Sequence, residues 1–270
     1  MSAFETFAAD APLVMLGCGR MGGAMLDGWL ERGLDPAAVT VLDPAPPEAL
    51  RGRGHRLVEG EAPLDGPSPR AVVLAVKPQV MADALPRVAG ARGALFVSVA
   101  AGLPVAFFED RLGEGARIVR VMPNTPAAIG QGASALWAAP ACTGADRALA
   151  QAMTDAVGTS VWLSDEHQMH AVTALSGSGP AYVFHMIEAM AAAGEALGLE
   201  PGLALALARR TVAGAGALAA DSDEPGALRE AVTSPGGTTK AGLDVLMAAL
   251  PSLMRRTLEA AENRSRELGA

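Results

Sequence analysis

Two glycine-rich stretches have the residue types that bind anions, and each precedes a run with helical apolar spacing. The first is Gly-Cys-Gly-Arg-Met-Gly at 17–22, and the second is Val-Thr-Ser-Pro-Gly-Gly-Thr-Thr at 232–239. The start of a helix presents unpaired backbone N–H groups and a positive dipole end, so it attracts anions. Glycines let the backbone approach a ligand closely, and threonine hydroxyls donate or accept hydrogen bonds. For the second stretch, an elaborate helix cap is the simpler alternative.

The context of the first stretch indicates a dinucleotide site. Its Gly-x-Gly-x-x-Gly spacing lies between a short apolar run at 13–16 and a helical pattern at 23–32. Asp43 ends a second predicted strand at 39–42, where an acidic residue normally binds the ribose 2′-hydroxyl. A βα turn that merely requires glycine is the alternative. By itself Asp43 favours NAD over NADP, because its charge would repel a 2′-phosphate.

Strands and helices alternate in the first part of the chain, which predicts an α/β Rossmann-type, doubly wound and mostly parallel sheet. Further strands are predicted at 71–76, 94–100, 117–122, 133–138 and 160–163, and helices at 79–89, 104–112 and 143–157. After residue 164 the pattern is helical, over 165–198, 201–220, 225–233, 239–249 and 251–267. We therefore expect a dinucleotide-binding domain at 1–164 and an all-α domain at 165–270.

The composition excludes several classes of function. A net charge of −8 argues against a nucleic-acid partner, because phosphate binding needs a basic surface. Two cysteines fit a reducing compartment, so we expect a cytoplasmic protein, with no signal peptide and no membrane span. We expect no metal, because His167 and His170 lack a third ligand nearby. Cys18 lies where a helix start could lower the pKa of a thiol, although packing is the favoured role.

Five stretches in fixed order resemble the pyrroline-5-carboxylate reductase family. They are 17–22, 75–79, 120–127, 175–182 and 232–239, and the last two are the most specific. The resemblance implies NAD(P)H-dependent reduction of L-1-pyrroline-5-carboxylate to L-proline, the last step of proline biosynthesis. It also implies a helical domain that interlocks with its counterpart in a homodimer, which some family members assemble further into decamers.

The resemblance also assigns site residues by position. Contacts with NADPH or NADH are expected from Gly17, Gly19, Arg20, Met21, Gly22, Asp43, Ala75, Val76, Lys77, Pro78, Met122, Pro123 and Asn124. Substrate contacts are expected from Ser176, Ser234, Gly236, Gly237, Thr238 and Thr239. We expect backbone N–H groups of Gly237 and Thr238 to hold the carboxylate. We hypothesise that the Thr239 hydroxyl meets the ring nitrogen, which makes Thr239 the candidate catalytic residue.

Two departures from the family pattern bear on the cofactor. Asp43 and the prolines after it replace the Asn-Arg-Ser-like residues that suit a 2′-phosphate, so we expect NADH to be usable. Ala231 stands where some relatives carry an asparagine near the cofactor, which removes one polar contact.

Two other interpretations stay open. One is a different hydride-transfer enzyme, such as a β-hydroxyacid dehydrogenase or another imine reductase, which usually relies on a lysine or aspartate in the helical half. The lysine available there is Lys240, which has no supporting motif. The other is a non-catalytic nucleotide sensor, which should have a degraded substrate loop, whereas residues 232–239 are intact.

Overall fold

The computed structural model describes residues 3–222 and 224–269. The strands are β1 Leu13–Leu16, β2 Val39–Leu42, β3 Arg56–Val58, β4 Ala71–Leu74, β5 Leu95–Ser98, β6 Arg117–Met122, β7 Gly132–Ala138 and β8 Gly158–Trp162. The helices are α1 Arg20–Glu31, α2 Pro78–Ala84, α3 Val105–Leu112, α4 Gly144–Asp155, α5 Gln168–Val172, α6 Gly179–Ala196, α7 Pro201–Ala220, α8 Pro225–Ala231 and α9 Thr238–Gly269. A π-helix at Thr173–Gly177 and short 3-10 turns complete the described elements.

One eight-stranded sheet has the order β3-β2-β1-β4-β5-β6-β7-β8. All neighbouring strands are parallel except β6 and β7, which are antiparallel. The chain therefore winds outward in both directions from β1, which confirms the predicted doubly wound, mostly parallel sheet. The parallel register places the carboxyl ends of β1, β2, β4 and β5 along one edge.

Both faces of the centre of the sheet are covered, which explains why β1 and β4 are continuous apolar runs. In β1, Leu13 and Met15 pack with Trp29 in one core cluster. Val14 and Leu16 belong to a second cluster, which includes Phe108. Each cluster fixes one layer of helices against the sheet, so the loops at the carboxyl edge start from a rigid base.

The structure corrects the sequence-based element bounds at three places. β3 was not predicted, because its three residues are exposed or only half-buried and give no alternating signal. The predicted helix at 165–198 is divided into α5, the π-helix and α6. The predicted helices at 239–249 and 251–267 form one helix, α9, which continues through Pro251.

The chain forms two compact units, residues 1–177 together with 261–270, and residues 178–260. We call them the sheet unit and the helical unit. The expected domain boundary at residue 164 stays a prediction. Within the described residues, one helix, α7, has the length and mean hydropathy (1.3) that a membrane span requires, and the expectation of no membrane span stays a prediction. One such helix is weak evidence, and α7 carries adjacent Arg209 and Arg210 at its middle.

Candidate active site

The glycine-rich loop makes a tight turn from β1 into α1. Gly17 has φ +85°, and a Cβ there would lie 2.6 Å from Val76 Cγ1, so the position requires glycine. Gly19 is the N-cap of α1, where no side chain caps the helix and a Cβ would meet nothing within 4 Å. The N–H groups of the first helical turn therefore have no side-chain cap, and such a helix start can receive a pyrophosphate.

A cavity of about 670 Å³ lies beside this loop. It is lined by Gly19, Arg20, Met21, Ala75, Val76, Lys77, Pro78, Val99, Ala100 and Ala101. The structure thus brings together seven of the predicted cofactor residues at the ends of β1 and β4. A cavity of about 780 Å³ lies at the opposite edge, among residues 89–94 and 110–117. Ligands of such sheets bind at the carboxyl edge, so the first cavity is the candidate.

Asp43 ties the glycine-rich loop to the end of β2. Its Oδ2 accepts the Cys18 N–H at 2.8 Å, and its Oδ1 accepts the Ala45 N–H at 2.9 Å. A carboxylate has about four acceptor positions, so further capacity remains for ribose hydroxyls. Asp43 therefore holds the loop in place and also keeps a negative charge at the edge of the site.

The end of β6 forms the next part of this edge. Pro123 and Asn124 are buried and Met122 is half-buried. The Asn124 amide donates to the Ser176 carbonyl at 3.1 Å, which joins this segment to the π-helix. The structure thus brings Ser176, a predicted substrate residue, next to three predicted cofactor residues.

The two titratable groups near the loop differ in exposure. The Cys18 side chain is buried, and burial together with the charge of Asp43 raises the pKa of its thiol to about 12. The suggestion of a lowered thiol pKa is therefore wrong, and packing is its role, as favoured. Lys77 is the exposed N-cap residue of α2, at the rim of the cavity.

The loop before α9 lies in the helical unit and is a tight turn. The Gly237 N–H donates to the Ser234 carbonyl at 3.0 Å, and Gly236 between them has φ +72°. Proline followed by glycine at the two central positions is the pattern of a type II turn. The Gly237 N–H is thus used within the turn, and the N–H groups that open α9 begin with those of Thr238 and Thr239.

The side chains at the start of α9 differ in their partners. Thr238 and Thr239 are exposed, and neither hydroxyl has a hydrogen-bond partner among the described residues. Lys240 pairs with Asp244, with Nζ 2.6 Å from Oδ1 and 2.8 Å from Oδ2. A lysine held in this way fits a helix-surface ion pair, which weakens the alternative of a lysine-dependent dehydrogenase.

Sequence reasoning missed several residues beside the candidate cofactor site. Val99, Ala100 and Ala101 follow β5 at the ligand edge, and only that position could have identified them, since their side chains carry no chemistry.

Glu166 was also missed. Its Oε1 accepts the Val105 N–H at 2.7 Å and lies 2.7 Å from Arg120 Nη1. Burial lowers the pKa of the Arg120 guanidinium, and the Glu166 carboxylate opposes that shift.

Comparison with known proteins covers nearly the whole chain. Residues 166–268 match the family described as pyrroline-5-carboxylate reductase dimerisation, and residues 12–102 match NADP oxidoreductase, coenzyme F420-dependent. The pyrroline-5-carboxylate reductase of Pseudomonas aeruginosa is 40% identical over 265 residues, 95% of this chain and 96% of its own.

Two solved structures agree with these relatives. A pyrroline-5-carboxylate reductase from Coxiella burnetii is 34% identical, with a TM-score of 0.88 and coverage of 97% of this chain and 99% of its own. The Plasmodium falciparum pyrroline carboxylate reductase, solved with NADP bound, is 26% identical with a TM-score of 0.82. The match covers 97% of this chain and 99% of that one.

Proposed function

Since the chain belongs to the pyrroline-5-carboxylate reductase family, we propose that it reduces L-1-pyrroline-5-carboxylate to L-proline, using NADH or NADPH. The observation that carries this proposal is the near full-length match to reductases of that name. The helix starts at Gly19 and at Thr238 support it, because each offers backbone N–H groups to an anion.

The chemistry needs little acid–base help from the protein. The reduced nicotinamide supplies a hydride, which adds to the imine carbon, while a proton on the ring nitrogen completes the secondary amine. A protonated imine is already electrophilic, so no strong general acid is required. The chain's task is to orient two rings and anchor one carboxylate, and such positioning can contribute several kcal/mol, up to about 7–11.

We assign the cofactor to the carboxyl edge of the sheet. The pyrophosphate would lie at the start of α1, and Asp43 would face the adenosine ribose. The nicotinamide end would lie towards β4, β5 and β6. The residues that hold these parts would be Gly17, Gly19, Arg20, Met21, Gly22, Asp43, Ala75, Val76, Lys77, Pro78, Met122, Pro123 and Asn124, together with Val99, Ala100 and Ala101.

We assign the substrate to the start of α9, with Ser234, Gly236, Gly237, Thr238, Thr239 and Ser176. Because the Gly237 N–H is used within the turn, the N–H groups of Thr238 and Thr239 are the better anchors for the carboxylate. The exposed Thr239 hydroxyl would meet the ring nitrogen, which makes Thr239 the proposed catalytic residue.

The helical unit supports a homodimer. The described residues buried in it are Ala191, Ala204 and Ala208, while large apolar side chains such as Leu203 and Leu207 are about half exposed. Residues 166–268 match a family described by dimerisation. We infer that helical units of two copies interlock, and that a further assembly such as a decamer would be built from these dimers. Free Cys18 and Cys142 fit action in a reducing, cytoplasmic compartment.

The central experiment mixes the purified chain with L-1-pyrroline-5-carboxylate and reduced cofactor and follows the loss of nicotinamide absorbance. We expect turnover with proline as product. Absence of turnover with both cofactors, in a protein that binds them, would instead favour the nucleotide sensor. Turnover only with a 3-hydroxyacid and oxidised cofactor would favour a dehydrogenase.

Thr239→Ala tests the proposed catalytic residue, with Thr239→Ser as the matched control that keeps the hydroxyl. We expect kcat to fall on the order of 10²-fold in the first, because a lost polar contact at the reacting atom removes about 2.7 kcal/mol or more. The second should stay near the parent value. Full activity of Thr239→Ala would remove this role from Thr239.

The cofactor preference follows from Asp43. We propose that NADH is preferred, because Asp43 would repel a 2′-phosphate and the first two arginines that follow β2 in sequence are already paired: Arg51 with Glu48 and Glu59, and Arg53 with Asp27. The measurement is kcat/KM for both cofactors in the parent and in Asp43→Asn. We expect the variant to shift towards NADPH by about 10-fold or more, since repulsion between two such charges is worth a few kcal/mol. A strong NADPH preference in the parent would contradict this proposal.

A further inference from the structure

The side chain of Asn124 joins two segments that are far apart in sequence. Its Oδ1 accepts the Ala133 N–H at 2.8 Å, and its Nδ2 donates to the Ser176 carbonyl at 3.1 Å. The side chain is 8% exposed. Both of its ends are therefore engaged inside the protein, and the carboxamide bridges the two segments.

The surrounding backbone fixes which way this amide points. Ala133 presents an N–H, so it must face the oxygen, and Ser176 presents a carbonyl, so it must face the nitrogen. The β6–β7 register pairs Met122 with Ala135, and extending it by two residues places Asn124 opposite Ala133. The side-chain oxygen thus continues the ladder past Pro123, where the strand itself ends.

The partner of the amide nitrogen lies in the π-helix at Thr173–Gly177. π-Helical turns are uncommon and occur frequently at functional sites. A Cβ on Gly177 would lie 2.5 Å from Met122 Cε, so the methionine side chain packs directly on this glycine. The end of β6 therefore contacts the π-helix twice, through the Asn124 amide and through the Met122 side chain.

Asn124 also stands at the N-cap position of a 3-10 turn, Thr125–Ile129. Asparagine is a strong capping residue, and capping would be the ordinary reason for finding it there. Its side chain makes no capping hydrogen bond to that turn. The side chain bonds to Ser176 instead of capping the turn, so capping does not explain why an asparagine stands at position 124.

We propose that Asn124 is a positioning residue, whose amide holds the π-helix against the end of β6 and so keeps Met122 and Ser176 in place for hydride transfer. This inference rests on the proposed function, which assigns Met122 to the nicotinamide and Ser176 to the substrate. Asn124 adjoins the residues assigned to the cofactor, and its carboxamide acts through the Ser176 carbonyl and the Ala133 N–H.

The test replaces the amide nitrogen of Asn124 by an oxygen. In Asn124→Asp, the ionised carboxylate still accepts the Ala133 N–H but points an oxygen at the Ser176 carbonyl. The protonated acid restores a donor there, and burial beside a carbonyl oxygen raises the pKa of such a carboxyl. We expect kcat relative to the parent at the same pH to be about 10²-fold lower at alkaline pH and to recover as pH falls, while the KM for cofactor stays unchanged.

The chain's second asparagine supplies the matched control. Asn263 is exposed in α9, so Asn263→Asp makes the same change without a buried partner. We expect its kcat ratio to the parent to be flat with pH. A flat ratio in Asn124→Asp as well, or undiminished kcat, would overturn the proposal. The unchanged KM for cofactor separates the expected result from loss of a direct cofactor contact.

Two further measurements keep the proposal testable without a working Asn124→Asp enzyme. Hydrogen exchange of the ligand-free protein should be faster at residues 173–177 in Asn124→Ala than in the parent, and unchanged exchange there would overturn the bridge. Gly177→Ala disturbs the contact between Met122 and the π-helix, and we expect lower kcat with unchanged KM for cofactor. Failure of the proposed function would appear instead as an inactive parent, with the exchange difference intact.

Discussion

The sheet unit and the helical unit bury their side chains very differently. In the sheet unit, whole strands are inaccessible, and buried polar residues such as Arg120, Asn124 and Asp146 have named partners. In the helical unit, three alanines are the buried residues among those described, and most large apolar side chains face outward. The sheet unit thus completes its own core, whereas the helical unit does not cover its apolar surface by itself.

This difference indicates which of the two units depends on assembly for its stability. Contiguous exposed apolar surface in a globular protein marks an interaction site. A single apolar residue on the surface of the sheet unit has no such meaning. A charge introduced at an exposed apolar residue should therefore be costly in the helical unit and tolerated in the sheet unit.

The largest expected effect is the response to a charge on the helical surface. Leu207→Glu should block dimer formation and lower activity by at least about 10²-fold, because burying an unpaired carboxylate costs several kcal/mol. Val161→Glu is the matched control, since Val161 is 61% exposed in the edge strand β8, where a charge is tolerated. Sedimentation and activity are the measurements. A dimeric, active Leu207→Glu would break the comparison.

The next effect contrasts ion pairs in the two units. Arg120 and Glu166 are 5% and 22% exposed in the sheet unit, whereas Lys240 and Asp244 are 52% and 62% exposed in the helical unit. Glu166→Ala leaves a buried charge unpaired and should cost about 3–5 kcal/mol of unfolding free energy. Asp244→Ala should cost less than about 0.5 kcal/mol. Urea unfolding measures both, and equal losses would contradict the assignment of one pair as buried and one as solvated.

The smallest expected effect is in thiol chemistry. Both cysteines lie in the sheet unit, and burial raises the pKa of each thiol, to about 12 for Cys18. The folded protein therefore holds the Cys18 proton more tightly than the unfolded chain, whose thiol has a pKa near 9.0. This contribution to stability is complete below about pH 9 and is lost as pH rises towards 12.

Alkylation by iodoacetamide at pH 8.5 should consequently be slow in the folded protein and fast in urea. Leu207→Glu should not accelerate alkylation, because both thiols lie in the sheet unit and the substitution lies in the helical unit. Fast labelling of the folded parent would show that the sheet unit opens readily.

The central strands of the fold are predictable because they are buried on both faces. β1, β2 and β4 are mostly or wholly apolar, and the turns after them contain the glycines and prolines that end strands. β3 fails this test because a half-buried edge strand of three residues resembles a loop. Pro251 predicts a helix end, but α9 continues through it.

The candidate site was predictable where function is carried by backbone geometry, as at Gly17 and Gly236, whose positive φ values require glycine. It was not predictable where residues distant in sequence meet. The Asn124 bridge to Ser176 spans 52 positions and the Glu166 contact with Arg120 spans 46. Neither partner has a local pattern, because the fold alone creates the contact.

The end of α9 returns to the sheet unit, where Ser265 Oγ lies 3.0 Å from His170 Nδ1 and Gly269 packs on the backbone of Gly102. Gly102 directly follows Ala101, at the rim of the candidate cofactor cavity. During synthesis, residues 261–269 therefore join the sheet unit only after the whole helical unit has been translated. At about 5–20 residues per second, that delay is on the order of ten seconds. A nascent chain would thus complete the rim of this candidate cavity only after the helical unit has emerged, so the candidate site matures after the synthesis of the helices that expose apolar surface.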